Sequence, residues 1–264
     1  VEVLALCVAA GMLGLVALPT LGGFRTGGDL QGCMANFQQL TRAWLTYAMD
    51  HEGRLPGNLD GGFAQDPASV SRTWAAGWID SSSSPANTNT RLLLDSQLGR
   101  YVDSVSIYRC PADVSRHRSG TGELRVRSVG MNSYVGERQA PWTAGYRIYT
   151  NLNAIVAPSP AEFLVFVDER EESVNDACFL ISMEGHDPFQ PNRTGLVDYP
   201  AMRHDGGATM SFADGHVEVW RWLDIRTRPG LRPGNTMQLN NPTPHNPDVV
   251  RLQRAASRRI NAHP

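Results

Sequence analysis

The sequence predicts an α+β fold: a long N-terminal α-helix, apolar through its first half, packed on a small antiparallel β-sheet head with long loops. Three observations carry this. The stretch Val3–Leu21 is nineteen residues without a charge. Leu30, Cys33, Phe37, Leu40, Trp44, Leu45 and Tyr47 then recur near helical spacing. The remainder is short apolar runs set between Gly, Pro and Asn, the pattern of short strands joined by turns. The chain divides accordingly into 1–52, the helix, and 53–264, the head with an irregular C-terminal tail.

Each element follows in order. As a helix rising about 1.5 Å per residue, Val3–Leu21 would span roughly 28 Å, close to the hydrocarbon thickness of a bilayer. A secretory signal would carry a basic region before its apolar run, and Val1-Glu2 has none. Gly11, Gly14 and Pro19 weaken the run, so a break is expected between Gly14 and Pro19. The following LGGFRTGGDL is Gly-rich and predicts an interruption, with Asp29 capping a second, amphipathic piece that His51-Glu52-Gly53 and Pro56 end.

In the head, Arg91–Tyr101 reads as a short helix and Leu124–Tyr134 as a strand region. Glu162–Val167 (EFLVFV) is the strongest strand signal, stopped by Asp168-Glu169-Arg170, and Cys178–Met183 is another. Ala208–Phe212 and His216–Trp222 flank Asp214-Gly215 and predict a hairpin with a D-G turn. Asp248–Ile260 closes the chain as a short helix.

Composition excludes several functions. Among 264 residues, 41% are hydrophobic and 19% charged, which is globular rather than disordered. A net charge of −2 gives no electrostatic footprint for nucleic acid, and none is expected as a partner. Cys7, Cys33, Cys110 and Cys178 make no C-x-x-C pair, so a zinc ribbon, thioredoxin-type site or c-type haem has no basis. Cys7 sits in the apolar run. Outside the cytoplasm one disulfide would form among the other three, and Cys33 with Cys110 is the preferred pair.

His204, Asp205, Asp214 and His216 are close in sequence and are ligand or acid–base types, but no H-E-x-x-H, G-x-S-x-G or P-loop pattern accompanies them. Asp214-Gly215 reads as turn chemistry and His204 as a buried hydrogen-bond partner. No catalytic residue is assigned and the chain is not expected to be an enzyme. Asp168, Glu169, Asn175 and Asp176 form an oxygen-rich segment suited to Ca²⁺, although without EF-hand spacing; calcium is the one cofactor considered. Trp74, Trp78, Trp142, Trp220 and Trp222 are read as packing residues, with sugar stacking as the alternative.

A set of short motifs adds a resemblance. His204 is followed, nine residues on, by Asp214-Gly215. Cys33-Met34-Ala35-Asn36-Phe37-Gln38-Gln39-Leu40 is similar to C-x-N-N-L-K-Q-L. Cys110-Pro111-Ala112-Asp113 is similar to C-P-A/S-D, and Arg127–Tyr134 to an R-S-Y-x-M-N strand. Val167-Asp168-Glu169-Arg170 with Asn175-Asp176, and Trp222–Thr227, match further blocks. In this order, behind an apolar leading segment, they resemble the prepilin-type H-x9-D-G proteins, a group related to type IV pilins and type II secretion pseudopilins. Phe37 and Gln38 depart from the usual Leu and Lys.

The resemblance implies a pilin-like subunit of an extracellular or periplasmic helical filament, with this chain itself as its main partner. Glu2, Val3, Leu4, Leu6, Leu13, Leu15, Val16 and Pro19 would make the assembly contacts, Glu2 pairing with a neighbour's N-terminal amine. It also implies a precursor parked in the inner membrane, prepilin peptidase and assembly machinery as partners, and a final place at the cell surface. His204, Asp214 and Gly215 would be structural. The alternatives are a minor pseudopilin of a type II secretion system and, in another class, a membrane-anchored enzyme or sugar-binding module.

Overall fold

The structure, a computed structural model, describes residues 22–80, 83–117, 122–136, 141–232 and 236–260. Helix α1 runs Gly22–Asp50. It continues through the Gly-rich stretch, and Asp29 lies inside it rather than capping it. Each helical Gly costs up to ~1 kcal/mol relative to Ala, yet helices are held chiefly by packing. That packing is a stripe of Cys33, Phe37, Leu40, Thr41, Trp44 and Ala48, all fully buried. The helix stops where predicted. Glu52 and Gly53 take positive φ, and the Gly53 and His51 N–H groups both donate to the Ala48 carbonyl.

The stripe lies on a sheet of five strands. These are β1 (Val129–Asn132), β2 (Leu164–Asp168), β3 (Cys178–Phe179), β5 (Gly207–Phe212) and β6 (Val217–Arg221), in the order β3-β1-β2-β5-β6. β4 (Gly195–Leu196) and β7 (Asn241–Pro242) form a separate two-stranded ribbon. Among the described residues three further α-helices complete the head: α2 (Gly61–Gln65), α3 (Arg91–Leu94) and α4 (Pro247–Ala256). The Asn246 side chain caps α4, accepting from the N–H groups of Asp248 and Val249.

Both faces of the sheet are covered. Val129, Met131 and Phe166 share one core with Phe37, Leu40 and Trp44 of α1. Leu164, Val167, Met210, Phe212 and Trp220 share a second core with Val249 and Leu252 of α4. A register shift between Leu164 and Phe166 sets which side chains of β2 face which helix. Double coverage explains why β1, β2 and β5 are buried along their whole length instead of alternating. β1 requires Gly130: a Cβ there would fall 2.9 Å from the Phe179 Cβ.

The predicted fold class is corrected on two counts. The sheet is mixed, not antiparallel: β1 pairs with β2 and β2 with β5 antiparallel, but β1 and β3 run parallel. The chain leaving β2 reverses and crosses to the far edge of β1, so β3 runs against β2 and therefore with β1. The second count is the pilin-like helix. Among the described residues no helix is long and apolar enough to cross a membrane; α1 carries Arg25, Asp29, Arg42 and Asp50 and one apolar stripe. The expected inner-membrane precursor, and the route from it to the cell surface, therefore find no support. The candidate assembly residues Glu2 to Pro19, and the break expected there, lie outside the described residues.

Smaller elements are shorter than predicted. Arg91–Tyr101 is α3 plus a 3-10 turn at Gly99–Tyr101, and Leu124–Tyr134 contributes only β1. The β5–β6 hairpin over Asp214-Gly215 is present. Phe37 is the test of the α1 core. Phe37→Ala is expected to cost about 3–5 kcal/mol in chemical denaturation, the usual range for emptying an aromatic site in a core. A cost under about 1 kcal/mol would mean that α1 is not part of the cooperative core.

Candidate metal centre

The site is built where α1 crosses the sheet. Cys33 projects from the buried stripe of α1 one turn before Phe37. Asp168 ends β2 on the same side as Phe166. Cys110 follows a 3-10 turn, Val105–Tyr108, that packs on α1, and its N–H donates to Ser128 Oγ at 3.0 Å. His204 is set by the turn entering β5. His204 and Gly207 exchange both backbone hydrogen bonds, and Asp205 and Gly206 between them both have positive φ, a two-residue D-G turn.

These four side chains meet. One donor atom from each of Cys33, Cys110, Asp168 and His204 lies within 4.8 Å of all the others, and all four residues are buried. Cys110 Sγ is 3.3 Å from His204 Nε2. Cys33 and Cys110, the expected disulfide pair, are therefore neighbours, but as thiols not joined to each other; Cys178 lies elsewhere, in β3. The set of two sulfurs, one imidazole nitrogen and one carboxylate oxygen could hold a metal ion.

Around it is a charge network, buried at Asp168 and Asp113 and half-buried at Arg203 and Glu171, that sequence reading did not find. Arg203 Nη1 donates to Asp168 Oδ1 at 2.8 Å, and its Nη2 lies 3.0 Å from Glu171 Oε2 and 3.5 Å from Asp113 Oδ2. Ser128 Oγ also donates to Asp168 Oδ1, at 2.9 Å. Asp168 Oδ2 is buried with no hydrogen-bond partner. Burial raises the Asp168 carboxyl above its ordinary range, against the pull of Arg203 and Ser128. The Cys110 thiol is pushed up by its contact with Cys33, by burial and by Asp168. At Asp113 burial acts upward, but Arg203 and Arg125 outweigh it and hold the carboxyl low.

The remaining sequence candidates are placed elsewhere. His204 and Asp214 lie at opposite ends of β5, so the motif spans a strand and does not converge. Asp214 Oδ1 accepts from the His216 N–H and lies 2.6 Å from its ring Nδ1; the ring stacks on Phe212. Gly215 supplies the positive φ of that turn. Asp205 pairs with Arg221 at the surface. Of the calcium candidates, Asp168 faces the thiols and Glu169 accepts from Ser173 Oγ. The Asn175 side chain accepts from the Asp176 N–H, and Asp176 accepts from the N–H groups of Gly61 and Cys178. Trp74, Trp220 and Trp222 are buried, with the Trp222 indole donating to the Ala201 carbonyl. Neither His204, Asp214 nor Trp222 lines the cleft of about 820 Å³ beside Arg170 and Met237 or that of about 760 Å³ beside His51 and Phe63.

The other motif residues brace the same region. Asn36 donates to the Arg109 carbonyl, tying α1 to the segment before Cys110. Arg127, buried and pulled down to about 10 by that burial, donates to the carbonyls of Asn175 and Asp176. Asn132 donates to the carbonyls of Leu164 and Ala256, joining β1 to β2 and α4. Arg203 was adjacent to a recognised motif residue; its only signal was being a basic residue between an apolar run and His204. Compared with protein-family models, curated proteins and solved structures, the chain matches none.

A pH dependence follows from a second buried carboxyl. Asp198 is raised well above its ordinary range, by burial and then by the charge of Asp176, while its contact with the Leu180 N–H acts the other way. A raised carboxyl keeps its proton in the folded chain where the unfolded chain has lost it. Its contribution is complete below about pH 4, the unfolded value, and is lost as pH climbs through the raised folded value. Asp198→Asn, which keeps an acceptor for Leu180, should raise the thermal midpoint more at pH 8 than at pH 4. Parallel midpoint-versus-pH curves for the two proteins would contradict this.

Proposed function

We propose that this chain is a structural subunit of a homopolymeric filament, in which the charge-free Val3–Leu21 stretch joins subunits and the head is carried on the outside. The observation that supports this reading is where the motif residues go. Cys33, Cys110, Ser128, Asp168 and His204 come from five separate motif blocks and meet in one buried junction. An enzyme centre needs a position where substrate or water can enter; a closed set of protein donors serves structure. The junction binds α1 to the sheet, so load applied along the helix would pass into the head.

The resemblance to the H-x9-D-G proteins supplies the filament half of the proposal. An enzyme or sugar-binding module draws less support, because three of its five candidate tryptophans, Trp74, Trp220 and Trp222, are packed in the interior, with Trp78 half-buried and Trp142 exposed. A cation held by oxygen donors alone, as calcium prefers, is not part of the reading, because the thiols stand beside Asp168.

The test is assembly. The full chain, diluted out of detergent and imaged by negative-stain electron microscopy, is expected to form regular filaments. A chain starting at residue 22 is expected to stay monomeric in sedimentation. A full chain that remains a stable monomer without detergent would overturn the proposal.

A further inference from the structure

We infer that Cys33, Cys110, Asp168 and His204 are the four ligands of one zinc-class ion that pins α1 to the sheet. The inference concerns the same junction as the filament proposal but does not require a filament, since it involves only α1 and the head of one chain.

Geometry is the first support. A tetrahedral ion with sulfur at about 2.3 Å and nitrogen or oxygen at about 2.0–2.2 Å places its donors roughly 3.3–3.8 Å apart. The four donors here fall within 4.8 Å of one another, with Cys110 Sγ and His204 Nε2 at 3.3 Å. Each comes from a different element: α1, the segment after the 105–108 turn, the end of β2 and the turn before β5. Binding would therefore close three long loops of chain at one point.

Chemistry is the second. Two sulfurs with an imidazole select zinc or a similar borderline ion over calcium and magnesium, which take oxygen. Asp168 Oδ2 has no hydrogen-bond partner although the residue is fully buried. Such a group costs free energy unless something meets it, and a cation does. Its Oδ1 is already held by Ser128 and Arg203, the kind of outer contact that orients a ligating carboxylate. A divalent ion would offset the two thiolates, while Asp168 is shared with the Arg203 guanidinium. A disulfide would satisfy only the sulfurs and leave His204 and Asp168 facing it.

With four protein ligands and no open position, the ion would be structural. Its expected role is to hold α1 on the sheet, and both thiols release their protons when it binds.

The experiment uses the full chain, purified under reducing conditions and dialysed against zinc, then against metal-free buffer. Elemental analysis should give about one zinc per chain, as for a four-ligand site. Cys178→Ser should keep it; Cys110→Ser and His204→Ala should lose most of it. His204→Cys, which restores a fourth soft donor, should regain it. Should the losing variants fail to fold, the parent chain still decides. Loaded with cobalt, it should show intense tetrahedral visible bands and a thiolate-to-cobalt charge-transfer band. A folded chain that binds no zinc with both thiols free, or one isolated with a Cys33–Cys110 disulfide, would overturn the inference.

Discussion

The head depends on a largely buried polar junction. Where α1 crosses the sheet, Arg203 is enclosed with Asp168, Asp113 and Glu171, and next to them stand the two thiols and His204. Removing one partner of a buried charge pair typically costs about 3–5 kcal/mol, because the other is left uncompensated. Apolar packing alone would let α1 slide or rotate on its stripe, since Leu, Phe and Trp contacts are weakly directional. Hydrogen bonds and paired charges are directional: the Arg203 pairs fix the segments around Asp113, Asp168 and Glu171, and α1 meets them through Cys33 and through Asn36 donating to the Arg109 carbonyl. The surrounding braces, Asn36 to Arg109, Arg127 to Asn175 and Asp176, and Asn132 to Leu164 and Ala256, hold the segments that supply the junction.

Local features were legible in the sequence. The stripe from Cys33 to Ala48, its stop at His51-Glu52-Gly53, the buried run at Leu164–Val167 and the D-G hairpin each follow from spacing or turn chemistry within a dozen residues. What needed the three-dimensional chain was everything set by long-range pairing. No local signal says that the segment after β2 crosses to the far edge of β1, so the mixed sheet was read as antiparallel. The Gly-rich start of α1 was read as a break because propensity is local, whereas the packing that sustains the helix lies downstream. His204 and Asp214 looked like one cluster because they are near in sequence. A strand between them puts them at opposite ends of β5, and a D-G turn at Asp205-Gly206 aims His204 at Cys110 instead.

The candidate site was half legible. Cys33, Cys110, Asp168 and His204 were each singled out, but for three separate purposes: a disulfide, a calcium segment and a structural motif. Their meeting unites those purposes in one place. It also changes the chemistry, since a carboxylate among thiols and an imidazole suits a different ion from a carboxylate among oxygens. Arg203 carried only the weak signal of standing next to His204, because an enclosed arginine is recognised by its partners, and these come from Cys110-Pro111-Ala112-Asp113 and Asp168-Glu169-Arg170-Glu171.

If this junction is what makes α1 and the sheet one body, the two should open together. Native-state hydrogen exchange followed by mass spectrometry measures this directly on the full chain and on Arg203→Met. In the parent, amides of Phe37–Ala48 should exchange with the same opening free energy as those of β2 and β5. In the variant that common value should drop for all three by about 3–5 kcal/mol. A helix that opens at distinctly lower free energy than the strands in the parent chain, or strands unmoved by the substitution, would contradict the account.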